Sequence, residues 1–373
     1  MTSNANTTAN TTTPAAAQHY PTLQQTIEEI VATGFVGLHV RVDDEQGTWV
    51  GTAGRSELGH SAPPPVNGRV RIGSNTKTFV ATVVLQLVAE GKIALDTPAV
   101  DYLPRFELDP RITVRMLLQH TSGIFNFTGE FYEDGTSAPG VVAWGGKDWV
   151  DNRFQTHHTD ELVRLALAKP ARFEPGTDWS YANTNYALAK LLIEAVTGHS
   201  LAEEMQRLIL GPLGLSDTVV PETSTEIGGP HAHAYYRYDD AGVEKTVDVT
   251  SQNPSWISSG GDMISTSKDL HTFLSALVGG TLLPAPLLAE MLTPEAKVGY
   301  GLGVFVQQTE TGTVITHNGG HGGHAALMYS TLDGAKTMTA ALNYIDDADL
   351  SMSATFQAAT QRLLDEVFGT ATD

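Results

Sequence analysis

Segments of β character lie at the two ends of this chain, and helical periodicity fills the stretch between them. VGLHVRVDDEQGTWVGTAG (36–54) alternates, turns at Asp-Glu-Gln-Gly and alternates again, which reads as a β-hairpin. Far downstream, GLGVFVQQ (301–308), GTVITHNG (312–319), HAALMYSTLDG (324–334) and TMTAALNY (337–344) read as an antiparallel meander with a tight turn at Asp333-Gly334. Helical spacing marks TLQQTIEEIVATG (22–34), the run from about 74 to 90, TSKDLHTFLSALVGG (266–280) and SMSATFQAATQRLLDEVFG (351–369). Several more helical patterns separated by Gly/Pro loops occupy about 93–255. The expectation is one sheet split by a helical insertion, an α+β architecture with a cleft where the parts meet. Residues 20–92 and 256–373 then form the sheet domain, and 93–255 a mainly helical inserted domain.

The first nineteen residues, MTSNANTTANTTTPAAAQH, hold no lysine or arginine and no apolar stretch of the roughly 7–15 residues that a secretory signal needs. They read as a disordered tail, with the formal sequons at Asn6 and Asn10 as accidents of composition. Cytoplasmic residence is the expectation, or secretion if an export sequence has been trimmed. No run approaches the ~18–20 apolar residues of a membrane span. A formal net charge of −20 argues against nucleic acid and anionic membrane surfaces as partners. There is no cysteine, which excludes disulfides and thiol catalysis.

Three short motifs carry chemistry. In RIGSNTKTFVATVVLQLVAEG (71–91), Ser74 and Lys77 lie three apart at the start of an apolar helix. Free N–H groups at a helix start favour a developing anion, so Ser74 stands where an alkoxide or oxyanion is stabilised, besides being a natural cap. The apolar run from Phe79 buries this helix centrally and leaves Lys77 poorly hydrated, which lowers its pKa from ~10.4 and suits it as a base for the serine. A second Ser-x-x-Lys, Ser265–Lys268, reads as turn and N-cap chemistry for the helix at 268–278. The second motif is Tyr181-Ala182-Asn183 at another helix start; of eleven tyrosines only Tyr181 has Asn two residues later. Beside a cationic Lys77 its phenol is expected to titrate lower than ~10, coupled to the lysine. The third is THNGGHGGH, where His317-Asn318-Gly319 and His321-Gly322-Gly323 both fit His-x-Gly. No carboxylate or cysteine accompanies these histidines, so no metal is expected, and a glycine-rich strand edge suits close approach of a substrate backbone. His317, at the end of a strand, is preferred.

Ser74-Asn-Thr-Lys77, Tyr181-Ala-Asn183 and His317-Asn-Gly319, in this order, resemble the penicillin-recognising serine enzymes, the DD-peptidases and class C-type β-lactamases. LLQHTSGI (117–124), YANTNYALAKLLIEAVTGHS (181–200) and GYGLGV (299–304) extend the resemblance from about residue 22 to the end. Among subfamilies the sequence is most similar to actinomycete-type DD-carboxypeptidases and D-amino-acid amidases. The resemblance implies a helical domain against a five-stranded antiparallel sheet, with the site at their junction and no cofactor. It implies that Ser74 forms an acyl-enzyme while Lys77 and Tyr181 shuttle its proton. It implies too that backbone N–H groups of Ser74 and Gly320 form the oxyanion hole, that Asn183 holds the substrate's acyl-side amide, that Trp256 walls the cleft, and that His317 supports the hydrogen bonding of Tyr181. Asn318, Gly319 and Phe305 complete the expected substrate contacts.

Phe305 stands where the carboxypeptidases place an arginine for the substrate's terminal carboxylate, and Asn318 and Gly320 stand where they carry hydroxyl residues. Losing a bidentate carboxylate anchor costs ~1.5–3 kcal/mol of recognition. The expected activity is therefore a serine acyl hydrolase or acyltransferase acting on an amide, ester or small peptide, with or without an amine acceptor. A D-alanyl-D-alanine carboxypeptidase or β-lactamase is the alternative, and a non-catalytic binding protein on the same scaffold is the third reading. Oligomeric state is left open.

Overall fold

The computed structural model describes residues 20–132, 134–309 and 311–369. The expected tail at 1–19 lies outside them. Strands β1 (Gly37–Asp44) and β2 (Gly47–Gly54) come from the start of the chain. Strands β3 (Phe305–Thr309), β4 (Gly312–His321), β5 (His324–Thr331) and β6 (Thr337–Asn343) come from its end. They form one antiparallel sheet in the order β2-β1-β6-β5-β4-β3. The join is the β1–β6 pairing, running from Gly37 opposite Asn343 to Asp43 opposite Thr337. The sheet has six strands where the resemblance implied five. The segments of β character in the sequence account for all six.

Both faces of the sheet are covered, and β5 shows how. Ala326 and Met328 enter the core on one face, whereas Ala325, Leu327 and Tyr329 enter the core on the other, as a period of two requires. The second face is closed by helices α1 (Leu23–Ala32) and α5 (Ser353–Phe368) through Ile27, Ile30, Leu363 and Val367. The first carries α2 (Thr76–Ala89), α3 (Asn183–Thr197) and α4 (Ser267–Val278), whose apolar side chains share one core with the sheet. Among the described residues no helix is long and apolar enough to cross a membrane.

Helix α2 is the centre of that core. Every residue from Thr76 to Leu85 is buried, as expected of a helix apolar around its circumference. Phe79 stacks on Phe273 of α4 with ring centroids 3.6 Å apart. Lys77 is the one charged residue in the helix and is fully buried. The helix does not begin as the sequence suggested. A 3-10 turn over Gly73–Asn75 precedes it, and neither Ser74 nor Asn75 makes a side-chain capping bond. Asn75 instead donates its amide to the carbonyls of Ile72 and Ala326, pinning the turn to β5. Ser74 is thereby free of a capping duty. At the second Ser-x-x-Lys, Thr266 rather than Ser265 caps α4, accepting from the Asp269 N–H at 3.2 Å.

One detail of the sheet prepares the site. Strand β3 pairs with β4 only across Gly312–Thr316, so residues 317–321 have β5 as their sole strand partner. The Gly73–Asn75 turn abuts this open edge. A Cβ on Gly319 would overlap the Ile72 carbonyl and the Ser74 nitrogen, so this approach requires glycine.

Candidate active site

The turn at Ser74, the first turn of α3 and the open edge of β4 meet in a cleft of about 590 Å3. Ser74, Tyr181, Asn183, Trp256 and Gly320 all line it. Lys77 lies directly beneath, its Nζ 3.2 Å from Ser74 Oγ, 2.8 Å from Asn183 Oδ1 and 2.5 Å from the Gly260 carbonyl oxygen. Burial alone pushes its pKa well below the ordinary lysine value. Three acceptors suit the ammonium, and they suit the neutral amine as well. In the neutral form Lys77 has two N–H donors and one lone pair. The two carbonyl oxygens can only accept, so they would take both donors and leave the lone pair for the Ser74 hydroxyl.

The Tyr181 hydroxyl lies within hydrogen-bonding reach of Ser74. Its titration runs opposite to the sequence expectation: burial pushes the phenol up, and the bond to Ser74 offsets this only in part. Lys77 Nζ stands over the Tyr181 ring, 4.5 Å from the centroid, but burial of the phenol itself is the larger effect.

Asn183 uses both ends of its amide, accepting from Lys77 and donating to Thr128 Oγ1 at 3.0 Å. His317 is buried behind Tyr181, ring centroids 6.4 Å apart. Its hydrogen bonds go elsewhere than expected: Nε2 meets the Tyr300 hydroxyl at 3.2 Å and Nδ1 the Asn318 carbonyl oxygen at 2.9 Å. Burial, with the Lys77 amine nearby, lowers its pKa to about 3. His321 is also buried, facing the Gly261 carbonyl and Gln252.

Two expected substrate contacts do not reach the cleft. Side chains alternate along β4, so Asn318 points away from Ser74 and donates to the Tyr329 hydroxyl at 2.7 Å. Phe305 packs edge-on against Tyr300, 4.6 Å between centroids, and against His317. Gly319 contributes by having no side chain.

Several wall residues carried no signal in the sequence. Glu130 and Arg172 line the cleft as an ion pair at 3.0 Å. Burial raises the Glu130 carboxyl above its usual range, although Arg172 and the Asn126 N–H pull it down. Trp144, Trp179 and the exposed Phe131 add aromatic surface.

His120, within LLQHTSGI, was legible as a match without a role. It is fully buried in a left-handed conformation, φ +62°. Its Nδ1 accepts from the Ala182 N–H at 3.2 Å and from Asn185 Nδ2 at 3.1 Å, and its carbonyl accepts from the Ser180 N–H. Its ring lies 4.4 Å from that of Tyr181. Both neighbours of Tyr181 in the chain are thus tied to one residue. His120→Ala removes that acceptor and is expected to lower kcat by about 10- to 100-fold through misplacement of Tyr181. His120→Asn retains an acceptor near the Nδ1 position, tolerates φ > 0, and should recover most of the loss. His120→Gln, whose oxygen falls near Nε2, should not. Steady-state kinetics on the three variants checks this.

Comparisons with known proteins place the fold in a family. A Beta-lactamase family profile matches residues 23–347. A D-stereospecific amidohydrolase from Streptomyces sp. superposes with a TM-score of 0.80 at 36% sequence identity, over 94% of this chain and 99% of that one. The D-amino acid amidase from Ochrobactrum anthropi SV3, complexed with L-phenylalanine amide, shares the fold with a TM-score of 0.79 at 24% identity, over 95% of this chain and 100% of that one. A D-aminopeptidase from Cereibacter sphaeroides is 25% identical over 321 residues, 82% of this chain and 56% of that protein. The chain spans about half to two thirds of the length of curated relatives it matches, 53%, 65% and 56% in three cases. With a family profile covering most of its length and a relative similar from end to end, this chain belongs to the Beta-lactamase family.

Proposed function

We propose that the protein is a serine acyl hydrolase and transacylase that acts on small neutral amides and esters of D-configured amino acids through an acyl-enzyme on Ser74. The observation that carries this reading is the hydrogen-bond arrangement at Lys77. Its Nζ is held by the Asn183 and Gly260 carbonyl oxygens at 2.8 and 2.5 Å and stands 3.2 Å from Ser74 Oγ, so that in the neutral form its lone pair is left for the Ser74 hydroxyl. A buried neutral lysine aimed at a serine is a general base held in place.

Ser74 Oγ attacks the substrate carbonyl as Lys77 takes the hydroxyl proton. The N–H groups of Ser74 and Gly320 receive the developing oxyanion, each such donor contributing ~2.7–4 kcal/mol. Collapse breaks the C–N bond, and Tyr181 donates its proton to the departing nitrogen and is reprotonated from the Lys77 ammonium. An amine leaves, and the acyl group remains as an ester on Ser74. Water or a second amine then attacks, losing its proton back through Tyr181 and Lys77. Asn183 orients Lys77 and has one further N–H for the acyl-side amide of the substrate. His317 stays neutral and acts through Tyr300, not as a base.

Neutral substrates are favoured because the basic side chains in the cleft wall are engaged. Arg172 pairs with Glu130 at 3.0 Å and Lys297 with Asp178 at 2.8 Å. Phe305 offers nothing to a carboxylate. The D configuration is drawn from the similar proteins, whose names are D-stereospecific amidohydrolase, D-amino acid amidase and D-aminopeptidase.

A panel of D- and L-amino-acid amides, esters and acyl-D-Ala-D-Ala peptides tests the substrate class. Turnover of the D-amide is expected to exceed release of D-alanine by about 10- to 100-fold, the worth of the missing carboxylate anchor. D-Alanine release faster than amide turnover would instead establish a carboxypeptidase.

A further inference from the structure

A second chamber, about 260 Å3, lies on the other face of β4, lined among others by Gly320, Ala325, Tyr344, Asp346, Met352 and Phe356. Gly320 borders both this chamber and the Ser74 cleft. Alternation along the strand explains the arrangement. A Cβ on Gly319 would point at Ser74, whereas a Cβ on Gly320 points into the chamber, with only the His324 carbonyl and the Tyr344 hydroxyl as near as 3.8 Å. A side chain at 320 would therefore enter the chamber beside the open edge of β4.

We propose that this chamber holds the amine side of the scissile bond, the leaving amine in hydrolysis and the acceptor amine in transfer, and that it favours amines whose apolar body ends in a second cation. The proposal rests on the Ser74 acyl-enzyme reading. A carbonyl carbon bonded to Ser74, with its oxygen on the Ser74 and Gly320 N–H groups, sends its acyl and amine substituents in different directions. The acyl group takes the larger aromatic cleft. The amine is directed past Gly320.

The lining matches that chemistry. Ala325, Met352 and Phe356 provide an apolar wall. Asp346 accepts N–H bonds from the backbone of Asp347 and Gly323, and among the described residues no basic side chain pairs with it. Asp347 beside it is engaged by Arg237 at 2.5 Å and by Ser351. Burial raises the Asp346 pKa to about 6, so an entering ammonium gains a carboxylate whose charge is otherwise poorly compensated. In the balanced step, an acceptor amine attacks the Ser74 ester, the new C–N bond forms, the C–Oγ bond breaks, and the amine's proton returns to Ser74 through Tyr181 and Lys77.

Ser353, exposed at the chamber's mouth on α5, allows the space to be filled. Wild type and Ser353→Trp are compared on a D-amino-acid primary amide, which releases ammonia, and on its N-benzylamide. The kcat/KM ratio of primary amide to benzylamide is expected to rise at least about tenfold in the variant. Separately, acyl transfer to benzylamine and to its 4-aminomethyl derivative is compared in wild type and Asp346→Asn. The preference for the dicationic acceptor should fall about three- to tenfold. An unchanged ratio in Ser353→Trp, or an unchanged acceptor preference in Asp346→Asn, overturns the proposal while leaving the acyl-enzyme intact. Failure of the wild type to form any acyl-enzyme overturns the Ser74 reading and the chamber's role with it.

Discussion

Ser74→Ala is expected to lower kcat/KM on the best amide substrate at least about 1,000-fold, because the covalent route is removed and only binding and the oxyanion donors remain. Substrate affinity should change little, since the aromatic wall and Gly320 are untouched. A fluorophosphonate should add one phosphonyl group to the wild-type protein, mapped by peptide mass spectrometry to Ser74, and none to the variant. Persistence of turnover in Ser74→Ala would exclude the acyl-enzyme outright. The fold should be unaffected, since Ser74 makes no capping bond and the turn is held by Asn75.

Lys77→Met carries the second large effect, with consequences for both rate and stability. Removing the base should cost about 100- to 10,000-fold in kcat/KM. In the wild type, activity should fall on the acid side as Lys77 takes up its proton. That limb lies well below an ordinary lysine's ~10.4 because burial penalises the charged form. His317 does not supply it, being neutral above about 3. The stability consequence has a definite sign. Lys77 titrates lower in the folded protein than in the unfolded chain, so between those two values the unfolded state binds the extra proton. Wild-type stability from this group therefore rises with pH across that window, by at most ~1.4 kcal/mol per pH unit, and levels off once the unfolded lysine is also neutral. The difference in unfolding free energy between Lys77→Met and wild type should drift toward the wild type as pH rises from neutrality towards ~10. Denaturant unfolding of both proteins at several pH values measures it, and a pH-independent difference would mean that Lys77 is charged in the fold. Gly260 and Asn183 lose a donor in the variant at every pH, which shifts the difference as a whole without tilting it.

The elements of the fold were legible because burial leaves a periodic trace. The short apolar run of HAALMYST marks β5, and the long, mostly apolar run after Lys77 marks α2. The start of α2 was less legible. Ser and Asn before an apolar run look like caps, and only the pull of the Ile72 and Ala326 carbonyls on Asn75 shows why neither of them caps. Ser74, Lys77, Tyr181 and Gly320 converge as their motifs suggested, while Asn318 and Phe305 do not reach the cleft. Their spacing fixed proximity along the chain, but the face each presents depends on the register of β4 against β5 and on the packing of Tyr300. Glu130, Arg172 and the role of His120 left no local signal, because each acts on a residue more than forty positions away.

By itself the sequence determined the order of elements, the central burial of a lysine beside a serine, and the absence of thiol chemistry. All three follow from residue identity and local periodicity. Tertiary structure alone decided the direction in which the site titrates. Whether Tyr181 loses its proton more easily or less depends on what surrounds it, and burial of the phenol outweighs its bond to Ser74. It also decided that glycine at 320 opens a second chamber, since that depends on which face of a strand a missing side chain would occupy.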